Sequence, residues 1–141
     1  MYQSILVPLD GSVTAEAILP EIENLAKGMG ARLIITRICP SLKVAEPTLA
    51  ETLSSTSEHA EQYLTEMKSA LNGKGIDVET HLGYGDAAYE IIDLSNRLDV
   101  DLIAMSTHGR SGIGRWLLGS IAEKVVRHSS RPVLLVRASA E

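Results

Sequence analysis

Short apolar runs alternate along this chain with longer stretches in which apolar residues recur every three or four positions. The first run, Ser4-Ile5-Leu6-Val7-Pro8-Leu9, ends at Asp10-Gly11-Ser12, where turn residues are followed by a helix cap at Ser12 or Thr14. Ile18, Ile22, Leu25, Ala26 and Met29 then fall on one helical stripe that Gly28 and Gly30 bring to an end. Pro20 lies inside that stripe and marks either a kink or an early turn, because proline has no N–H to donate to the preceding turn. Ala31 to Ile38 is apolar on both faces over much of its length, as a central parallel strand covered by helices should be.

From Cys39 to about Thr56 the pattern lapses, and two prolines, Pro40 and Pro47, read there as a long connection: a flap over a ligand or a linker. A helix from about Ser57 to Leu71 follows, with Ala60, Tyr63, Leu64, Met67 and Leu71 on its inner side, and Asn72-Gly73-Lys74-Gly75 stops it. Ile76 to Leu82 alternates strictly, so one face is wet and the strand belongs at a sheet edge with His81 solvated. Gly83-Tyr84-Gly85-Asp86 is a turn; the spacing after Gly85 does not complete a dinucleotide fingerprint. Asp86 caps a helix whose inner stripe is Ala88, Ile91, Ile92, Ser95 and Leu98.

A buried strand, Leu102 to Ser106, leads through a glycine-rich loop into a helix bearing Ile121, Ala122, Val125 and Val126, and Arg131 to Arg137 forms a last apolar strand. Five strands separated by helices predict a single-domain, open parallel α/β sheet, Rossmann-like, with right-handed crossovers and helices on both faces. In such a sheet ligands gather beyond the carboxyl ends of the strands, where the strand order reverses. The first and fourth strands are the most hydrophobic and therefore the most central, which brings Asp10 towards Gly109 and Gly119.

The loop between fourth strand and helix carries Gly109, Gly112, Gly114 and Gly119 together with Arg110 and Arg115. Glycines let backbone amides turn outward, and a helix beginning near Ser120 adds unpaired N–H groups and about half a positive charge. Guanidinium groups in the same loop can grip phosphate oxygens in a planar fork, so phosphate is the leading candidate ligand, against the alternative of a plain turn with solvated arginines. Asp10 reads two ways: a carboxylate accepting from a ribose hydroxyl or adenine amino group, or a turn residue bonding its own backbone.

With 141 residues, the chain can bury about two thirds of its unfolded surface and needs no cross-link. A net charge of -5 argues against general affinity for nucleic acid or anionic membrane, so any anion site is local. The lone cysteine, Cys39, excludes an internal disulfide and reads as a small buried residue at a strand end. No apolar run approaches the roughly 20 residues that span a bilayer, and the start lacks the basic and apolar segments of a secretory signal, so the cytoplasm is the expected compartment.

The opening SILVPLDGS, the segment MSTHGRSGIGRWLLGSIAEKVVRHS and the closing RPVLLVR resemble the universal stress protein family, and the resemblance covers essentially the whole chain, 1–141, as one such domain. It implies a strand order 3-2-1-4-5 and, in the family's nucleotide-binding members, a loop of the form Gly-x2-Gly-x9-Gly-Ser/Thr. Here that loop maps onto Ser106, Gly109, Gly119 and Ser120, with serine standing where the pattern has its first glycine. By the resemblance Pro8, Leu9 and Asp10 line the adenosine side of a bound ATP and Ile38 packs on adenine. Gly109, Arg110, Gly112, Gly119, Ser120 and Ile121 surround the phosphates, bridged by a Mg2+ or Mn2+ ion for which the sequence shows no carboxylate cage.

His108, beside those phosphates, has no carboxylate partner near it in sequence and is assigned no catalytic role; hydrolysis, if any, would be slow. Trp116 reads as core beside Leu117 and Leu118. Three functions stay open: a stress-responsive ATP-binding regulator acting on an unknown partner protein, a dimeric interaction protein of the same fold that binds no nucleotide, and an ATP-dependent enzyme. The last needs substrate-binding segments for which 141 residues leave little room. In the first two the resemblance puts the last strand at a sheet edge, and a two-fold homodimer through Pro132 to Val136 is expected.

Overall fold

The structure, a computed structural model, describes residues 2–39, 47–107 and 119–138, with backbone alone over 47–56. The strands are β1 (Ser4–Pro8), β2 (Arg32–Cys39), β3 (Val78–Tyr84), β4 (Leu102–Thr107) and β5 (Val133–Arg137), and the helices are α1 (Val13–Glu16), α2 (Leu19–Met29), α3 (Pro47–Asn72), α4 (Ala87–Arg97) and α5 (Ser120–His128). All five strands run parallel in the order β3-β2-β1-β4-β5, the order that the family resemblance implies.

Side chains of alternate strand positions feed two apolar layers. Ile5, Val7, Leu33, Ile35 and Ala104 pack against Ile18, Ile22, Leu64 and Leu71 on one face, while Leu6, Ile34, Ile103 and Met105 pack against Ala88, Ile91, Leu94, Ala122 and Val125 on the other. Both layers exclude water, which explains why β1, β2 and β4 are apolar on both faces over much of their length. β3 is an edge, as its alternation predicts, and its outward Glu79 pairs with His81 and with Arg32, so His81 is half-buried beside a carboxylate rather than simply solvated.

Three boundaries differ from the sequence reading. Pro20 takes the early turn: α1 stops at Glu16 and a separate α2 begins with the proline in its first turn, where the absent N–H is not needed. α3 starts at Pro47 for the same reason, so 47–56 is helical and not part of a long connection; the remainder of that connection, 40–46, lies outside the described residues. On α4, Leu94 is buried whereas Ile92 and Leu98 are only partly so. Asp86 caps that helix, its carboxylate accepting from the Tyr89 amide at 3.0 Å.

Candidate functional site

β1 pairs with β2 over five positions but with β4 over only two, Ile5 with Leu102 and Leu6 with Ile103. Past those pairs the strands part. The Leu9 amide donates to the Thr36 carbonyl of β2 at 2.8 Å, and between the ends of β1 and β4 a cleft of about 260 Å³ opens. This is the point where strand order reverses, the place expected for a ligand in an open α/β sheet.

The cleft brings together Pro8, Leu9, Asp10, Ile38, Ser106, Gly119, Ser120 and Ile121, all of them site residues expected from sequence. Gly109, Arg110 and Gly112 lie outside the described residues, as do His108, Arg115 and Trp116. Sequence reasoning missed Ser12, the cap of α1, Thr14 and Ala15 within it, Thr36 from β2, and Met105 from β4. Thr36 is fully buried, its hydroxyl donating to the His81 carbonyl at 2.9 Å, so an apparently misplaced polar residue within an apolar run was the available signal.

Each wall has a local cause. Ile38 lies with its Cδ1 where a side chain on Gly83 would begin, 2.9 Å from the Cβ position, so a bare glycine on β3 lets Ile38 settle across it and form the apolar floor. Asp10 Oδ1 accepts from the Ser12 amide at 2.9 Å, and Ser12 in turn caps α1 by accepting from the Ala15 amide at 3.0 Å. The turn role of Asp10 is therefore realised through one carboxylate oxygen.

α1 has no fully buried side chain, and among the described residues two side-chain hydrogen bonds tether it. On one side Ser106 Oγ donates to the Ala15 carbonyl at 3.1 Å; on the other Tyr63 of α3 donates to the Glu16 carboxylate at 2.5 Å. Burial, and then that carboxylate, push the Tyr63 phenol well above its usual range, so it remains a donor. The Arg37 guanidinium stacks on the Tyr63 ring, 5.1 Å from its centroid.

Opposite α1, the chain enters α5 through Gly119 at φ 85° and ψ 151°, a conformation that other residues adopt only with strain, and among the described residues no side chain caps the helix there. The Glu123 amide bonds the Gly119 carbonyl at 3.0 Å, and a helix start leaves the amides before it without intrahelical acceptors. Ile121, expected from the resemblance beside the phosphates, is 43% exposed and faces the cleft. The arrangement offers an apolar floor, a carboxylate and hydroxyl oxygens near β1, and a positive dipole end at α5, which suits a ligand with an apolar ring, hydroxyls and an anionic tail.

Residues 1–137 match the model of the universal stress protein family. The chain is similar to a universal stress protein of Methanocaldococcus jannaschii, 32% identical over 97% of this chain and 83% of that one. Among solved structures it is similar to universal stress protein UspA from Lactobacillus plantarum, with a TM-score of 0.80, 26% identity and coverage of 96% and 98% of the two chains. A universal stress protein solved in complex with cAMP aligns with a TM-score of 0.68, 25% identity and 98% of each chain.

Proposed function

The chain belongs to the universal stress protein family, and from that premise we propose that it is a stress-response regulator which binds ATP in the cleft between β1, β4 and α5. The observation that carries this reading is the meeting of Asp10, Ile38, Ser106, Gly119 and Ser120 around one cleft at the strand-order reversal. The cAMP held by the related protein adds support for a nucleotide as the ligand class. Adenine lies on Ile38, the ribose lies between Asp10 and Ser106, and the phosphates reach the α5 amides.

Among the described residues no group of three or more His, Cys, Asp or Glu gathers to hold a metal. A Mg2+ or Mn2+ ion accompanying ATP would be held through the phosphate oxygens. Isothermal titration with ATP tests the proposal: saturable one-to-one binding below millimolar concentration supports it, and no heat at millimolar ATP removes it.

The alternative, an interaction protein of this fold that binds no nucleotide, draws on one observation: Ser106 replaces the motif glycine and spends its hydroxyl on Ala15. Both readings include a homodimer through Pro132 to Val136. β5 is an edge of the sheet and its Val133 to Val136 side chains are only partly buried. Sedimentation at micromolar concentration checks this, a monomer being the contrary result. Among the described residues no helix is long and apolar enough to cross a membrane.

A further inference from the structure

Ser106 donates its hydroxyl proton to the carbonyl oxygen of Ala15, a residue 91 positions away in sequence. A carbonyl has no proton to return, so the one proton of Ser106 is committed to α1 and only lone pairs remain for any other partner. The Ala15 carbonyl also takes the Ala17 amide and, at 3.5 Å, the Ile18 amide, where the chain breaks between α1 and α2 ahead of Pro20. Ser106 thus holds the cleft wall formed by Thr14 and Ala15 against the end of β4.

The chemistry that faces a ligand follows. Ser106 and Asp10 both line the cleft, and Asp10 has Oδ1 engaged by the Ser12 amide. Both side chains therefore offer acceptors. A phosphate oxygen, itself an acceptor, gains nothing from either, whereas a ligand hydroxyl can donate its proton to one or the other. A glycine at 106 would supply neither the tether nor the acceptor.

We infer that Ser106 is the selectivity residue of the cleft: by tethering α1 with its proton and presenting its lone pairs to the cavity, it selects ribonucleotides over their deoxy counterparts. This deepens the nucleotide reading and rests on it. The anionic end of the ligand is directed away from Ser106, towards Gly119 and Ser120.

Titration calorimetry with ATP, 2′-deoxy-ATP and 3′-deoxy-ATP on the wild-type chain, Ser106→Ala and Ser106→Thr tests the inference. The wild-type chain binds ATP at least about five-fold more tightly than the weaker of the two deoxy ligands, the size of effect that one lost hydrogen bond produces. Ser106→Ala lowers the ratio for the deoxy ligand that lacks the hydroxyl donating to Ser106, while Asp10 keeps its own preference, and Ser106→Thr, which retains a hydroxyl, preserves both ratios. A purely structural tether would weaken all three ligands equally in Ser106→Ala and leave the ratio untouched; that result overturns the inference. Equal binding of all three by the wild-type chain overturns it as well while sparing the nucleotide reading, and binding of none overturns both.

Discussion

The two ends of the β1–β4 pair are built on opposite plans. At the amino end the Asp101 carboxylate accepts from the amides of Gln3 and Ser4, at 2.8 and 3.1 Å, and the Asp101 amide returns a bond to the Ser4 carbonyl at 3.0 Å. At the carboxyl end no such staple joins the two strands among the described residues; β1 turns its next amide to β2, and Ser106 turns its hydroxyl to α1. The difference teaches where binding capacity comes from in this sheet. Neighbouring strands that are pinned together spend their polar groups on each other, and strands that diverge turn them to other partners and leave a cleft between.

Changes at the pinned end should cost stability and changes at the open end should cost affinity. The largest effect is expected for Ile5→Ala, since Ile5 is fully buried in the paired segment: about 3 kcal/mol of unfolding free energy, read by urea denaturation. Gly119→Val forces a β-branched residue into a left-handed conformation at the open end. It should lower ATP affinity at least about ten-fold, roughly 1.4 kcal/mol, in calorimetry; undiminished binding there would break the comparison.

Tyr63→Phe removes one tether of α1 and should cost about 1 kcal/mol of stability together with a loss of ATP affinity smaller than that of Gly119→Val. The smallest effect at neutral pH is expected for Asp101→Asn, whose amide oxygen can still accept. Its signature is in the pH dependence. Bonds from the Gln3 and Ser4 amides hold the Asp101 carboxyl below its ordinary value, so its contribution is fully present above about pH 4 and is lost as pH falls through the lowered value. Melting temperatures from pH 7 down to pH 3 should therefore fall less steeply in Asp101→Asn than in the wild-type chain.

The sheet was legible because burial on two faces writes itself into β1, β2 and β4 as stretches that are apolar on both faces over much of their length, and because β3, at an edge, alternates. The start of α3 was not, since Pro47 reads as a breaker and only the assembled helix shows it at a first position, where an N–H has no intrahelical partner. Asp10, Ile38 and Gly119 were found through resemblance and the strand-end argument. Ser12, Thr14 and Ala15 were missed because α1 has no buried side chain and hence no periodicity to report. The bond from Ser106 to Ala15 joins distant parts of the chain, and no local pattern encodes it.

Cys39 ends β2 with its side chain buried, and burial pushes its thiol above the usual range against the nearby charge of Arg37. It is the only sulfhydryl in the sequence. A group so rarely ionised and so poorly reached gives peroxides and disulfide reagents almost no purchase on the native chain.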